Sequence, residues 1–308
     1  MSKIRFGVHL PYFPDDDSKG QEHVQNNKKY LDSLDNIYES VWVCDHLIPD
    51  KEPYNRDTLE CLTTISYYLP QYLNQKFGSL VLGNNYRNPA LLAKMSSTLQ
   101  TLSNGRFILG IGAGWYQEEY KQYGYRFPSP RTRVQQLEEA VQIIRMMWTE
   151  DDVTFHGKHY SIENTYCNPK PDPLPPIVIG GWGEKYTLRV VAKYADWWNG
   201  GYLDVETWTH KMNVIAGYCD DVGRDFDEIV MSSVYGVGIA DTDAEALQVA
   251  KSTPHSLEYG LIGSPETLVS KFGEWIDVGV EYFQLYFPLI TDAKATQRFA
   301  DEVIPELI

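Results

Sequence analysis

The 308-residue sequence predicts a (β/α)8 barrel. Eight short, apolar stretches rich in β-branched residues alternate with helical segments, over a length that suits such a barrel. One of them, Ile177-Val178-Ile179, runs through Gly180-Gly181-Trp182-Gly183 straight into an apolar helical pattern (Leu188, Val191, Ala192, Ala195), the strand–turn–helix order of a parallel unit. No low-complexity linker divides the chain, which is read as a single domain, 1–308. A doubly wound sheet is the competing arrangement.

The elements follow in order. Lys3 to His9 (KIRFGVH) is a strand ended by Leu10-Pro11, and a polar stretch rich in Asp and Lys leads to a helix through about Leu34. Ser40 to Cys44 (SVWVC) is the second strand and delivers Asp45-His46 to the loop after it. Leu47 to Asp57, broken by Pro49 and Pro53, is a loop, and Thr58 to Leu69 a helix closed by Pro70. Phe77 to Leu82 is strand three, and Pro89 suits the first turn of a helix from Ala90 to Leu102, with Asn104-Gly105 as its stop. Arg106 to Ile111 is strand four; a short polar segment and a break at Pro128 and Pro130 precede a long helix from about Thr132 to Trp148.

Residues 150–175 interrupt the alternation between strands four and five. Val153 to Ile162 patterns as a strand pair around His156-Gly157-Lys158, and the proline-rich stretch after it is extended, so the segment is read as an insertion. Strands five to eight are Pro176 to Gly180, Asp196 to Gly200, Ile229 to Ile239 and Tyr282 to Phe287, with helices at 205–222, 243–251, 265–278 and the end of the chain; 252–263 is a loop.

Composition excludes several functions. A net charge of −15 opposes nucleic-acid binding and makes any polyanionic ligand depend on local cations. No apolar run approaches the ~20 residues of a membrane span, and MSKIRFGVHLPYF lacks an apolar leader region, so a cytoplasmic location is expected. Cys44, Cys61, Cys167 and Cys219 are far apart, without Cys/His spacing for zinc, so no metal is expected.

In a barrel the loops after the strands carry function, and here they deliver His9, Asp45, His46, Asn84, Arg87, Gly112, Gly114, Trp115, Gly180 to Gly183, Asn199, Gln284, Tyr286 and Pro288. A glycosidase needs two facing carboxylates and a barrel metallohydrolase converging His and Asp ligands; neither set occurs. Gly110-Ile111-Gly112-Ala113-Gly114 lacks the third glycine of a dinucleotide fingerprint at its proper spacing. Gly180 to Gly183 before a helix start reads either as a phosphate cradle of backbone N–H groups or as a tight turn that needs glycine only for positive φ.

Asp45-His46, the run YRNPALLAKMSSTLQTLSNGRFILGIGAGW (Tyr86 to Trp115), the segment YGYRFPSPRTRVQQLEEAVQIIRMMWTEDDVTFHGKHY and PPIVIGGWGEKYTLRVVAKYADWWN together resemble the bacterial luciferase-like superfamily of (β/α)8 flavin- or deazaflavin-dependent oxidoreductases and monooxygenases. The resemblance runs from strand one through strand six. It implies that Gly180, Gly181, Trp182 and Gly183 hold a cofactor phosphate, that Leu80-Val81 is a non-prolyl cis peptide backing the ring, and that Gly83, Ala113 and Gly114 lie along the cofactor. Asp45 and His46 match the Asp-His pair of the deazaflavin branch, with His46 as proton donor or acceptor and Asp45 contacting the cofactor or orienting His46. The sugar-phosphate dehydrogenases of that branch carry Glu directly after the glycine turn, where this chain has Trp115, so their substrate and second acid/base group are not implied. The implied function is hydride transfer between coenzyme F420 and a small organic substrate. The alternatives are an FMN-dependent monooxygenase and a non-catalytic partner subunit, and a homodimer is left open. Lys185, Arg189 and Arg87 are read as local charge toward the acidic tail of a deazaflavin or as ordinary surface charge.

Overall fold

The computed structural model describes residues 4–14, 18–34, 37–50, 52–252, 260–287 and 293–308. In chain order the elements are β1 (Arg5–Leu10), α1 (Gln21–Ser33), β2 (Ser40–Val43), α2 (Cys61–Tyr68), β3 (Lys76–Ser79), β4 (Leu82–Gly83), α3 (Pro89–Leu102), β5 (Phe107–Gly112), α4 (Gln117–Gln122) and α5 (Pro130–Thr149). They continue with β6 (Val153–His156), β7 (Ser161–Thr165), β8 (Ile177–Gly180), α6 (Thr187–Tyr194), β9 (Trp197–Asn199), α7 (Val205–Val222), β10 (Val230–Ile239), α8 (Asp243–Ser252), β11 (Leu261–Gly263), α9 (Pro265–Asp277), β12 (Tyr282–Tyr286) and α10 (Lys294–Glu302).

Parallel pairing runs β1–β2–β3–β5–β8–β9–β10–β12 and returns to β1, closing the expected eight-strand barrel. The interruption between β5 and β8 holds the antiparallel hairpin β6–β7. Four local expectations change. Leu261–Gly263, read as loop, is a strand beside Val237–Ile239. The polar segment after Trp115 forms α4. Pro130, read as a break, opens α5 at its first turn, where the missing N–H costs nothing, with Ser129 as the cap. Residues 58–60, read as helix, precede it, because the Glu60 side chain accepts from the N–H groups of Leu62 and Thr63 and so starts α2 at Cys61.

The lower half of the barrel is filled. Trp42, Ile108, Val178, Trp197 and Tyr282, from five strands, form one interior cluster, and the Arg5 guanidinium lies over the Trp197 and Tyr282 rings at 5.2 and 5.0 Å. Trp42 takes space that two glycines leave: a Cβ on Gly7 would lie 2.5 Å from its Nε1, and one on Gly78 2.4 Å from its Cζ3. Two strand glycines cost about 0.5–1 kcal/mol each, less than the about 4–6 kcal/mol that burying an indole contributes by area. Among the described residues this cluster fills the barrel interior below the C-terminal rim. Alternation along the strands sets His9, Cys44 and Gln284 inward above this cluster.

The third strand is broken at the rim. The Leu80–Val81 peptide is cis, as expected, and β4 resumes pairing with β5 beyond it. Ser79 bridges the gap, its Oγ donating to Gly110 C=O (2.8 Å) and accepting from Gly110 N–H (3.0 Å). Val81 packs where Gly110, Gly112 and Gly180 carry no side chain; a Cβ on Gly110 would also stand 1.9 Å from Ser79 C=O. Gly110→Ala should therefore lower stability by about 2–3 kcal/mol, because backbone is the obstacle and cannot swing away. Urea unfolding of both proteins checks this.

Candidate active site

The turn after β2 is held by two buried carboxylates. Asp45 accepts both arms of Arg87, at 2.8 and 2.7 Å, and the Gly83 N–H at 2.9 Å; Arg87 also pairs with Glu60. Burial alone would lower the Arg87 pKa, but Asp45 and Glu60 raise it above the usual value, so the guanidinium stays charged. The second carboxylate is Glu119 of α4, 1% exposed. It accepts from His46 Nδ1 (3.0 Å), Leu47 N–H (2.6 Å), Ile48 N–H (3.3 Å) and Tyr86 O–H (2.7 Å). Burial pushes the Glu119 pKa up, and the bonds from His46, Tyr86 and Leu47 outweigh it, leaving the group below the usual 4.5.

An ionised Glu119 offers no proton, so Nδ1 of His46 carries one and donates. Nε2 then remains for other chemistry, and among the described residues it has no hydrogen-bond partner. The imidazole stacks on Tyr12 (5.3 Å between centroids) and meets Trp115 and Tyr116 edge-on at 5.8 and 5.9 Å. Three aromatic rings thus fix its plane while its side chain keeps 15% exposure.

Across the mouth, the turn after β8 is stapled to β9. Gly181 N–H donates to Asn199 C=O (3.1 Å), and Trp198 Nε1 donates to Gly181 C=O (2.9 Å). Gly181 has φ +120°, a conformation that glycine adopts without strain. Beyond it the Leu188 N–H turns back to Gly183 C=O, and α6 begins at Thr187 with no side-chain cap. Among the described residues, the Trp182, Gly183 and Glu184 N–H groups donate to nothing. A glycine-lined turn with spare backbone donors ahead of an uncapped helix start fits a phosphate.

A profile of the family described as luciferase-like monooxygenase matches residues 4–260. The chain belongs to this luciferase-like family. Its similarity to the F420-dependent glucose-6-phosphate dehydrogenase of Amycolatopsis mediterranei (strain U-32) is 31% identity over 305 residues, covering 87% of this chain and 90% of that one. It is 32% identical over 165 residues to pyrimidine monooxygenase RutA of Acinetobacter baylyi (strain ATCC 33305 / BD413 / ADP1), 52% of this chain and 43% of that one. Among solved structures, an F420-dependent secondary alcohol dehydrogenase in complex with an F420-acetone adduct superposes with TM-score 0.84 at 17% identity over 99% of both chains. The FMN complex of the oxygenating constituent of 3,6-diketocamphane monooxygenase from Pseudomonas putida gives 0.79 at 18% identity, over 98% of each chain. Named relatives include F420-dependent and FMNH2-dependent enzymes, and this chain is a luciferase-like oxidoreductase.

Within this luciferase-like barrel the residues expected at the site divide. His46 and Gly181 to Gly183 reach the mouth. The Asp45 carboxylate is fully enclosed and bonds to Arg87 and Gly83 rather than to His46. Arg87, read as charge for an acidic tail, is committed to Asp45 and Glu60. Gly83, Gly112, Gly114 and Gly180 lie at strand ends, yet packing also demands them: a Cβ there would meet Tyr86, Val81, Tyr120 and Val81 at 2.9, 2.9, 2.0 and 2.8 Å. Leu80 packs on the interior cluster, and Ala113 is half-buried beside Gly114. Pro288 lies outside the described residues.

Glu119 is the residue that sequence reasoning missed. Trp115 follows the glycine turn directly, and Glu119 brings a carboxylate to His46 from the turn of helix that follows. At pH 7, Glu119→Gln should cost about 2–3 kcal/mol, since three N–H groups and a hydroxyl lose a charged acceptor. The Glu119 pKa is lowered on folding, so its stabilisation is present above 4.5 and is lost as pH falls through the folded value. The difference between wild type and variant should therefore narrow as pH falls below 4.5. Urea unfolding at pH 7 and across the acid range checks the sign.

Proposed function

We propose that the protein transfers hydride between coenzyme F420 and a small organic substrate, with His46 as the group that gives or takes the accompanying proton. The observation that supports this most is the His46–Glu119 pair: a half-shielded imidazole with one nitrogen bound to a buried carboxylate and the other without a hydrogen-bond partner among the described residues. The free Trp182, Gly183 and Glu184 N–H groups would hold the cofactor phosphate in the turn that Gly181 shapes, and Leu80, Val81, Gly83, Ala113, Gly114 and Gly180 would border the ring. When bound there, F420 supplies a ring carbon that accepts or releases hydride.

His46 Nε2 removes the hydroxyl proton when an alcohol is oxidised and returns it when a carbonyl is reduced. Glu119 accepts from Nδ1 at 3.0 Å and so fixes the tautomer that leaves Nε2 as the proton acceptor. Asp45, with both oxygens bonded, positions the turn through Arg87 and Gly83 instead of moving a proton. F420 is preferred to FMN because the F420-dependent glucose-6-phosphate dehydrogenase matches 87% of the chain, whereas an FMNH2-dependent dimethylsulfone monooxygenase of Pseudomonas fluorescens (strain Pf0-1) matches 38%. Four unpaired cysteines suit a reducing compartment such as the cytoplasm. Among the described residues no helix is long and apolar enough to cross a membrane.

Titration of the purified protein with F420 and with FMN, followed by absorbance and fluorescence, tests the reading. Binding of F420 with hydride transfer to or from a panel of alcohols and ketones supports it; oxygen-dependent product formation with reduced FMN alone replaces it with a monooxygenase. His46→Gln should keep F420 affinity within about twofold and lower turnover about 10²–10⁴-fold. Gly181→Val should weaken either cofactor at least about tenfold, since a β-branched residue does not adopt φ +120° without moving the cradle.

A further inference from the structure

Beneath the rim the barrel keeps polar groups that neither the fold nor the proton transfer uses. Gln284 is fully buried; its Oε1 accepts from Asn199 Nδ2 at 3.1 Å, while its Nε2, a double donor, has no partner among the described residues. His9 is 8% exposed, and its Nε2 is also unpartnered among them. The two belong to neighbouring strands: Gln284 pairs with Gly7, and His9 is the next inward position above it. Gly7 has no side chain between them. Leaving a buried amide N–H₂ without an acceptor costs free energy, so such a pair marks a place where another molecule completes the bonding.

The chemistry of the missing partner follows from the donors. His9 Nδ1 is 3.7 Å from Cys44 Sγ, the inward residue of the adjoining strand. Burial pushes the Cys44 thiol up to about 12, so it keeps its proton and can donate it to Nδ1. Burial also lowers His9 to about 4, so the ring is neutral, and its single proton then sits on Nε2. Gln284 Nε2 and His9 Nε2 are both donors in this arrangement. No formal charge is carried by His9, Cys44, Asn199, Gln284 or Tyr286, so an anion would meet no counter-charge there.

We propose that Gln284 Nε2 and His9 Nε2 form a seat for an uncharged carbonyl-type oxygen in the floor of the barrel mouth. The proposal rests on the reading that a redox ring and its substrate occupy that mouth. The oxygen has two sources with the same chemistry: a carbonyl on the edge of the ring itself, or the carbonyl of a neutral substrate. In either case the floor selects against a phosphorylated or carboxylated group at this point.

Cyclohexanone serves as the neutral carbonyl probe and cyclohexanecarboxylate as its anionic counterpart. Each is titrated by ligand-detected NMR into wild type, His9→Leu and Gln284→Met, and F420 and FMN are titrated into the same proteins, with thermal midpoints verifying folding. The expected result is a loss of about tenfold in both variants, the size set by one or two neutral hydrogen bonds. A loss confined to cyclohexanone identifies a separate substrate as the occupant, and a loss in cofactor affinity identifies the ring. Affinities unmoved for the ketone and both cofactors overturn the proposal, as does wild type binding the carboxylate more tightly than the ketone. If wild type binds neither F420 nor FMN, the cofactor reading fails by itself, because the ketone titration needs no cofactor. Should Gln284→Met fail to fold, His9→Leu decides alone, since among the described residues the hydrogen-bonding neighbour of His9 is only Cys44.

Discussion

The mouth of this barrel depends on how two buried carboxylates are neutralised. Asp45 is compensated by the two arms of Arg87, whereas Glu119 has no arginine and is compensated by four donors, one of them His46. Each bond to a charged acceptor contributes about 1.5–3 kcal/mol, enough together to offset the desolvation of a carboxylate. One carboxylate belongs to the turn after β2 and the other to α4, so the turn is gripped from both sides. His46 lies between the grips, which is why a loop residue has a defined ring plane and tautomer.

Glycine has two uses at the rim, and the structure separates them. Gly110, Gly112 and Gly180 make room for Val81, and Gly114 makes room for the Tyr120 hydroxyl. A side chain at any of these would collide with protein before it met a ligand. Gly181 and Gly183 differ: the nearest atoms to a Cβ there are Thr187 Cγ2 at 3.4 Å and Thr187 Oγ1 at 3.1 Å. What requires glycine at 181 is φ +120°, which turns the chain so that the following N–H groups face outward ahead of α6. The two readings of a glycine turn, cradle and tight turn, are thus compatible, because the positive φ is what frees the donors.

The strands were legible because each buries a short apolar run, as in Ile177-Val178-Ile179, and the helices because Asn88-Pro89 and Ser264-Pro265 announce their starts. Pro130 misled because proline punctuates a loop and opens a helix equally well, and only the Ser129 side-chain bond distinguishes the two. His46 stood out by its place after a strand and by resemblance to the family. Glu119 did not, since Gln117-Glu118-Glu119 reads as a solvated acidic turn until the fold places 119 inward and 118 outward. His9 and Gln284 were visible as strand-end residues, but their unpaired atoms depend on which neighbours the barrel closure brings round.

The net charge of −15 bears less on ligand choice than it suggests. Charges beyond about 8 Å are largely screened at physiological ionic strength, so an anion at the rim responds to what lies within that radius. There the Arg131 Cζ and Lys185 Nζ sit 5.9 and 5.4 Å from the same Tyr186 ring, beside the glycine turn, and neither makes an ion pair with a described carboxylate. Arg87, equally near in sequence to a strand end, contributes nothing to such a ligand because Asp45 and Glu60 consume its charge. On the proposed reading, the spare backbone N–H groups of the glycine turn and these two cations would meet the anionic end of a bound molecule near α6, while an uncharged oxygen would lie toward His9 and Gln284, which carry no formal charge.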